Sequence, residues 1–154
     1  MRATVDRTVT DHIPAPPGEV RAYYADLKNL AGVHPLIVSV TLISESVTDG
    51  AHQTTYRIKD RVPVGFVTVP ASYTAIMRVP VDGPVTSQAV QFPGIRLQSR
   101  VSFDPVDGGT RLTESIQICA PRPLLGLTVR GAVAAHTEML AGIRRHFAEI
   151  QARG

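Results

Sequence analysis

From Ala3 to Ile13 the chain alternates weakly, with Val5, Val9 and Ile13 four apart, as a strand with one covered face would. Pro14-Ala15-Pro16-Pro17-Gly18-Glu19 breaks that strand and opens a helix, because proline is tolerated in a first turn and Glu19 complements the dipole there. The stripe Val20, Tyr23, Tyr24, Leu27 and Leu30 predicts one helix from Pro17 to about Asn29, with Gly32 placed to stop it. His34-Pro35 then opens a second short turn.

Six further strands are predicted: Val38 to Ser46, Ala51 to Val62, Val64 to Val79, Val85 to Phe92, Ile95 to Phe103 and Arg111 to Ala120. Asp49-Gly50, Asp82-Gly83-Pro84, Pro93-Gly94 and Asp107-Gly108-Gly109 separate them, and turns this short make an antiparallel meander. The fourth strand is long, and Gly65 and Pro70 within it point to an edge, a bulge or a bend. From Pro123 to Ala152 the period changes to that of a helix, with Leu125, Val129, Ala132, His136, Met139, Ile143, Phe147 and Ile150 on one stripe. One long helix after a run of antiparallel strands predicts an α+β domain whose curved sheet wraps the helix, leaving room for a cavity between them.

Composition narrows the picture. The 154 residues suit a single domain, 1–154, and 44% hydrophobic against 19% charged residues is the balance of a globular chain. No apolar run approaches the ~20 residues of a transmembrane helix, and the N-terminus lacks the apolar stretch of a signal peptide, so a cytoplasmic location is the default expectation. The net charge of +3 comes from dispersed residues without aromatic interleaving, so no nucleic-acid partner is expected. Cys119 is the only cysteine and has no internal disulfide partner. The five histidines form no i, i+4 pair, so no metal site is expected; no Gly-rich phosphate loop joins a strand to a helix, and no cofactor is expected either.

Three stretches carry a family resemblance: Ile13-Pro14-Ala15-Pro16-Pro17-Gly18-Glu19-Val20, the Leu30 to Leu36 segment with His34-Pro35, and Gly108-Gly109-Thr110-Arg111-Leu112-Thr113. With the element order they are similar to the START-like helix-grip superfamily, which includes polyketide cyclases and dehydrases and lipid or hormone carriers. The resemblance covers essentially the whole chain. It implies a helix-grip fold of about seven strands wrapped around the C-terminal helix, with two short helices after strand one. It transfers no catalytic residue, because these motifs mark a fold rather than an activity.

Candidate chemistry is therefore read from the residues. On the last strand Leu112, Ile116 and Ile118 form the apolar phase, and Glu114 shares it. A carboxyl group there meets a partner, shifts its pKa, or contacts a ligand; the plain alternative is a structural ion pair. His136 lies on the apolar stripe of the long helix, facing the expected cavity as an acid or base or as a core histidine. Together Glu114 and His136 are the candidate catalytic pair if the protein is an enzyme. Tyr56 and Tyr73 fall in inward phases and offer hydroxyls; Asp60 shares the phase of Tyr56 but sits near a strand end and reads as solvent-contacting, and His34, before Pro35, reads as lining a cavity mouth or as a solvated loop residue. The inward set of strand six includes Leu97, Ser99 and Val101, which with Met139 opposite would suit a greasy ligand. The candidate ligand-binding set is thus Tyr56, Tyr73, Leu97, Ser99, Val101, Glu114, His136 and Met139.

The function expected first is binding of a small hydrophobic molecule, such as a lipid, polyketide or isoprenoid. The alternative is a cofactor-independent cyclase, aromatase or dehydratase using the cavity's acid and base groups. A third class is an interaction module using the sheet surface. Monomer and homodimer both stay open.

Overall fold

A computed structural model describes all residues from Met1 to Gly154. Its elements run β1 (Arg2–Ile13), α1 (Pro17–Tyr24), α2 (Leu27–Ala31), β2 (Ile37–Thr48), β3 (Ala51–Val64), β4 (Val67–Pro80), β5 (Val85–Gln91), β6 (Ile95–Val106), β7 (Gly109–Pro121) and α3 (Arg122–Arg153). The strands form one antiparallel sheet in the order β1-β7-β6-β5-β4-β3-β2. The meander accounts for six of them, and β1 closes the far side by pairing with β7 from Arg2 opposite Pro121 to Ile13 opposite Thr110. Helix α3 packs mainly on β1 and β7 across the inner face. This is the α+β helix-grip architecture the residue pattern predicts.

Two of the expected elements differ in detail. The single helix from Pro17 to Asn29 is two helices, because Asp26 leaves the helical conformation (φ −103°, ψ 108°) and its carboxylate accepts from the Lys28 amide, capping α2. The fourth strand begins at Val67 rather than Val64, since Gly65 turns at φ +61° and gives its neighbours to the β3–β4 hairpin. Pro70 is tolerated because β5 pairs with β4 only between Thr74 and Arg78, so Pro70 lies past the end of that ladder.

The Gly108-Gly109-Thr110 and Ile13-Pro14-Ala15 stretches meet in space. Thr110 Oγ1 donates to the Ala15 carbonyl at 2.7 Å, and a Cβ on Gly109, at φ +153°, would stand 2.0 Å from the Ile13 carbonyl oxygen. Only glycine lets the β6–β7 turn settle on the strand-to-helix corner.

Helix α3 is packed unevenly along its length. Met139, Leu140, Ile143 and Phe147 are buried, and a Cβ on Gly142 would meet Val33 Cβ at 2.8 Å, so the second half sits tight against the fold. Around Gly131 an added Cβ would meet nothing within 4 Å. In the first half Val129 packs on the core while the stretch around Gly131 borders open space.

Candidate functional site

That space is a cavity of about 270 Å³ between α3, the α2–β2 segment and the inner faces of β3 to β7. Twenty of its 29 lining residues are hydrophobic, which fits an apolar ligand. A larger groove of about 620 Å³ lies over the outward rows of the sheet, where Arg7, Arg78, Arg100 and several glutamines line it, but only two of its fifteen residues are hydrophobic. The apolar cavity, with buried titratable groups in its wall, is the better candidate site.

Strand alternation places Glu114 on the inner face of β7, between Val9 of β1 and Val101 of β6, with no exposed surface. Isolated there, the carboxylate would be strongly disfavoured. Both its oxygens are engaged: Oε1 faces His136 Nδ1 of α3 in an ion pair, and Oε2 accepts from the Tyr24 hydroxyl at 2.5 Å. Burial pushes the Glu114 pKa upward, but the imidazolium charge and the bonds from His136 and Tyr24 outweigh it, so the net shift is downward. For His136, burial lowers the pKa, yet the Glu114 charge and hydrogen bond, with a further contribution from Asp60, raise it overall. The pair is thus carboxylate and imidazolium, and Tyr24 is held as a protonated donor by burial and by the adjacent Glu114 charge.

With Nδ1 committed to Glu114, Nε2 is the His136 nitrogen left for a ligand, and the side chain, 17% exposed, lines the cavity. His34 stands edge-on to it, ring centroids 5.5 Å apart at 84°. The Leu36 amide donates to His34 Nδ1, so this ring is neutral with its proton on Nε2. Burial, and then the His136 charge, push its pKa down to about 4 against a smaller opposing pull from Glu114. Farther along the wall Asp60, only 7% exposed, accepts from the Tyr73 hydroxyl at 3.3 Å; burial raises its pKa despite the Tyr73 bond and the His136 charge. On β5 and β6 the hydroxyls of Ser87 and Ser99 share a 2.5 Å hydrogen bond. No three histidine, cysteine, aspartate or glutamate side chains converge as a ligand set for a metal ion.

Of the residues singled out by sequence, Tyr73, Leu97, Ser99, His136 and Met139 line the cavity. Tyr56 and Val101 do not: both are packed within the core, Tyr56 facing Ala75 across the β3–β4 pair and Val101 lying between Val85 and Glu114. Glu114 sits behind His136 rather than in the wall itself. One solvent-contact reading is corrected: Asp60 is buried on the inner face of β3, beside its ladder partner Ile37 and in the same cavity wall as Leu36. His34 lines the cavity, edge-on to His136. Tyr24 was legible only as part of an apolar stripe. The available signal was that a buried tyrosine hydroxyl needs a partner.

A curved antiparallel sheet gripping a long helix, with an apolar cavity between them, His136 in its wall and Glu114 behind it, defines a helix-grip domain. The chain belongs to the polyketide cyclase / dehydrase and lipid transport family, whose model matches residues 2–148. Among solved structures it is similar to a protein of Thermus thermophilus, with 18% identity and a TM-score of 0.70 over 97% of this chain and 99% of that one. It is also similar to the Zhui aromatase/cyclase from Streptomyces sp. R1128, at 13% identity and TM-score 0.66 over 96% and 94% of the two chains. A third likeness is to the di-domain aromatase/cyclase StfQ of the steffimycin biosynthetic pathway, at 12% identity and TM-score 0.74 over 98% of this chain and 53% of that one. At these identities the likeness is one of fold. No curated protein sequence matches the chain. No helix is long and apolar enough to cross a membrane.

Proposed function

We propose that the chain is an enzyme of the cyclase or dehydratase kind, moving protons on a small, largely apolar carbonyl compound held in the cavity. The observation that carries this reading is the fully buried Glu114 bound to His136, whose other ring nitrogen is left for the cavity. A buried carboxylate that fixes an imidazole's orientation and holds its proton makes the imidazole a positioned acid toward a ligand oxygen, and a base once it has given the proton up. Glu114 and Tyr24 are positioning residues in this scheme. His136 is the group that meets the substrate. Binding without turnover is the second reading, favoured by a wall in which twenty of 29 residues are hydrophobic.

Solvent-deuterium exchange at the methyl group of 2-acetylnaphthalene, followed by proton NMR, separates the two. The enzyme reading expects exchange accelerated by the protein and lost in His136→Ala while the ketone still binds. Exchange at the buffer rate with the ketone bound leaves binding as the function.

A further inference from the structure

The cavity wall contains no lysine and no arginine. Its only cationic group is His136, and that charge is already matched by Glu114 at Nδ1. His34, the other imidazole, is neutral, with burial and its Nδ1 hydrogen bond both favouring the uncharged ring. Asp60 therefore has no cation of its own. Its hydrogen-bond partner is the neutral Tyr73 hydroxyl, and Val62, Leu36 and Ile37 surround the same stretch of wall. A ligand carboxylate would be a third acidic group in a space with one imidazolium, and a buried charge without a partner is strongly disfavoured.

We propose that the cavity selects by charge: its ligand is an uncharged, largely apolar molecule carrying a ketone or hydroxyl oxygen, and Asp60 is the residue that turns carboxylates away. The inference rests on the cavity being the ligand site. A ketone or hydroxyl oxygen can accept from His136 Nε2–H without bringing a charge, and the paired hydroxyls of Ser87 and Ser99 add only neutral donors and acceptors. Every other contact the wall offers is apolar or a neutral amide or hydroxyl, so the one charge that opposes Asp60 is the His136 imidazolium, which Glu114 already matches.

The test is calorimetric titration of the full chain at pH 7.5 with 2-acetylnaphthalene, 2-naphthylmethanol and 2-naphthoate, in wild type and Asp60→Asn. Wild type is expected to bind the ketone and the alcohol about tenfold or more tightly than 2-naphthoate. Apolar surface alone also disfavours a charged ligand, so the decisive arm is the variant. Asp60→Asn is expected to bind 2-naphthoate about tenfold more tightly while its ketone affinity moves less than about threefold. Wild type binding 2-naphthoate as tightly as the ketone overturns the proposal while leaving the cavity as the ligand site, and needs no substitution. A folded Asp60→Asn with unchanged 2-naphthoate affinity also overturns it. Failure of all three naphthalenes to bind wild type removes the cavity reading itself and the charge rule with it.

Discussion

Tyr24 and Glu114 stand 90 residues apart in the chain and meet at 2.5 Å inside the fold, where Tyr24 is the sole hydrogen-bond donor to one carboxylate oxygen. Tyr24→Phe keeps the ring and removes that donor, leaving Oε2 buried and unpaired. The expected cost is about 1–3 kcal/mol in urea unfolding. A loss below about 0.5 kcal/mol would mean that the bond contributes little to the folded state.

Removing the carboxylate charge acts on His136 more than on its own strand. In Glu114→Gln the imidazole loses the main attraction that holds its proton, and burial, opposed only by the lesser pull of Asp60, then favours the neutral ring, so its pKa should fall below the ordinary 6.5 instead of standing above it. NMR titration of the His136 ring protons reads this directly. Stability should drop by about 3–5 kcal/mol, as for other buried pairs that lose one partner.

The pH dependence of folding has opposing parts. Glu114 is shifted below 4.5, so its stabilisation is complete above 4.5 and is lost as pH falls through the lower folded value. His136 is shifted above 6.5, so its stabilisation is complete below 6.5 and is lost as pH rises through the higher folded value. The pair therefore stabilises most between 4.5 and 6.5. His34, lowered from 6.5 to about 4, runs the other way: as pH falls across that window the unfolded chain takes up a proton that the folded chain resists. His34→Gln should recover on the order of 2 kcal/mol relative to wild type on going from pH 7.5 to pH 5, measured as urea midpoints. Parallel profiles for the two proteins would remove His34 from the account.

Filling the hollow beneath α3 should separate folding from binding. Ala132 lines the cavity, and Ala132→Phe places a ring there. Far-ultraviolet circular dichroism should be unchanged, while affinity for 2-acetylnaphthalene falls about tenfold or more. Undiminished affinity would place the ligand elsewhere.

Gly109→Ala is expected to cost about 3 kcal/mol or more, because its methyl group would stand 2.0 Å from the Ile13 carbonyl oxygen at a backbone angle that disfavours side chains. Gly131→Ala, in open space on a helix, should instead gain about 0.5–1 kcal/mol. Thermal unfolding of the two variants side by side checks both signs.

The strand and helix periods were legible because each depends on neighbours two to four positions away. Period-two alternation around Glu114 and the helical stripe through His136 put both on inner faces without reference to the rest of the chain. What escaped was set by distant segments. Asp60 lies near the end of the predicted third strand and reads as wet; it is dry in the inner wall, where β2 pairs beside it at Ile37 and Leu36 lines the same cavity. The partner of the Tyr24 hydroxyl and the ring that His34 meets were equally opaque, since they come from β7 and α3. The break at Asp26 was visible in principle, as an aspartate two residues before a lysine amide it caps, but an unbroken apolar stripe ran across it.

Close packing of Gly142 on Val33 and the open surroundings of Gly131 lie on one continuous helix. Leu127, near its start, is 45% exposed, whereas Leu140 and Ile143 are sealed. Backbone amides from Leu124 to Ala132 should therefore exchange with deuterium through shallow local openings, and those from Met139 to Phe147 only through much deeper ones. On that expectation the second half of the long helix is its mooring, and the stretch above the hollow is the first to open.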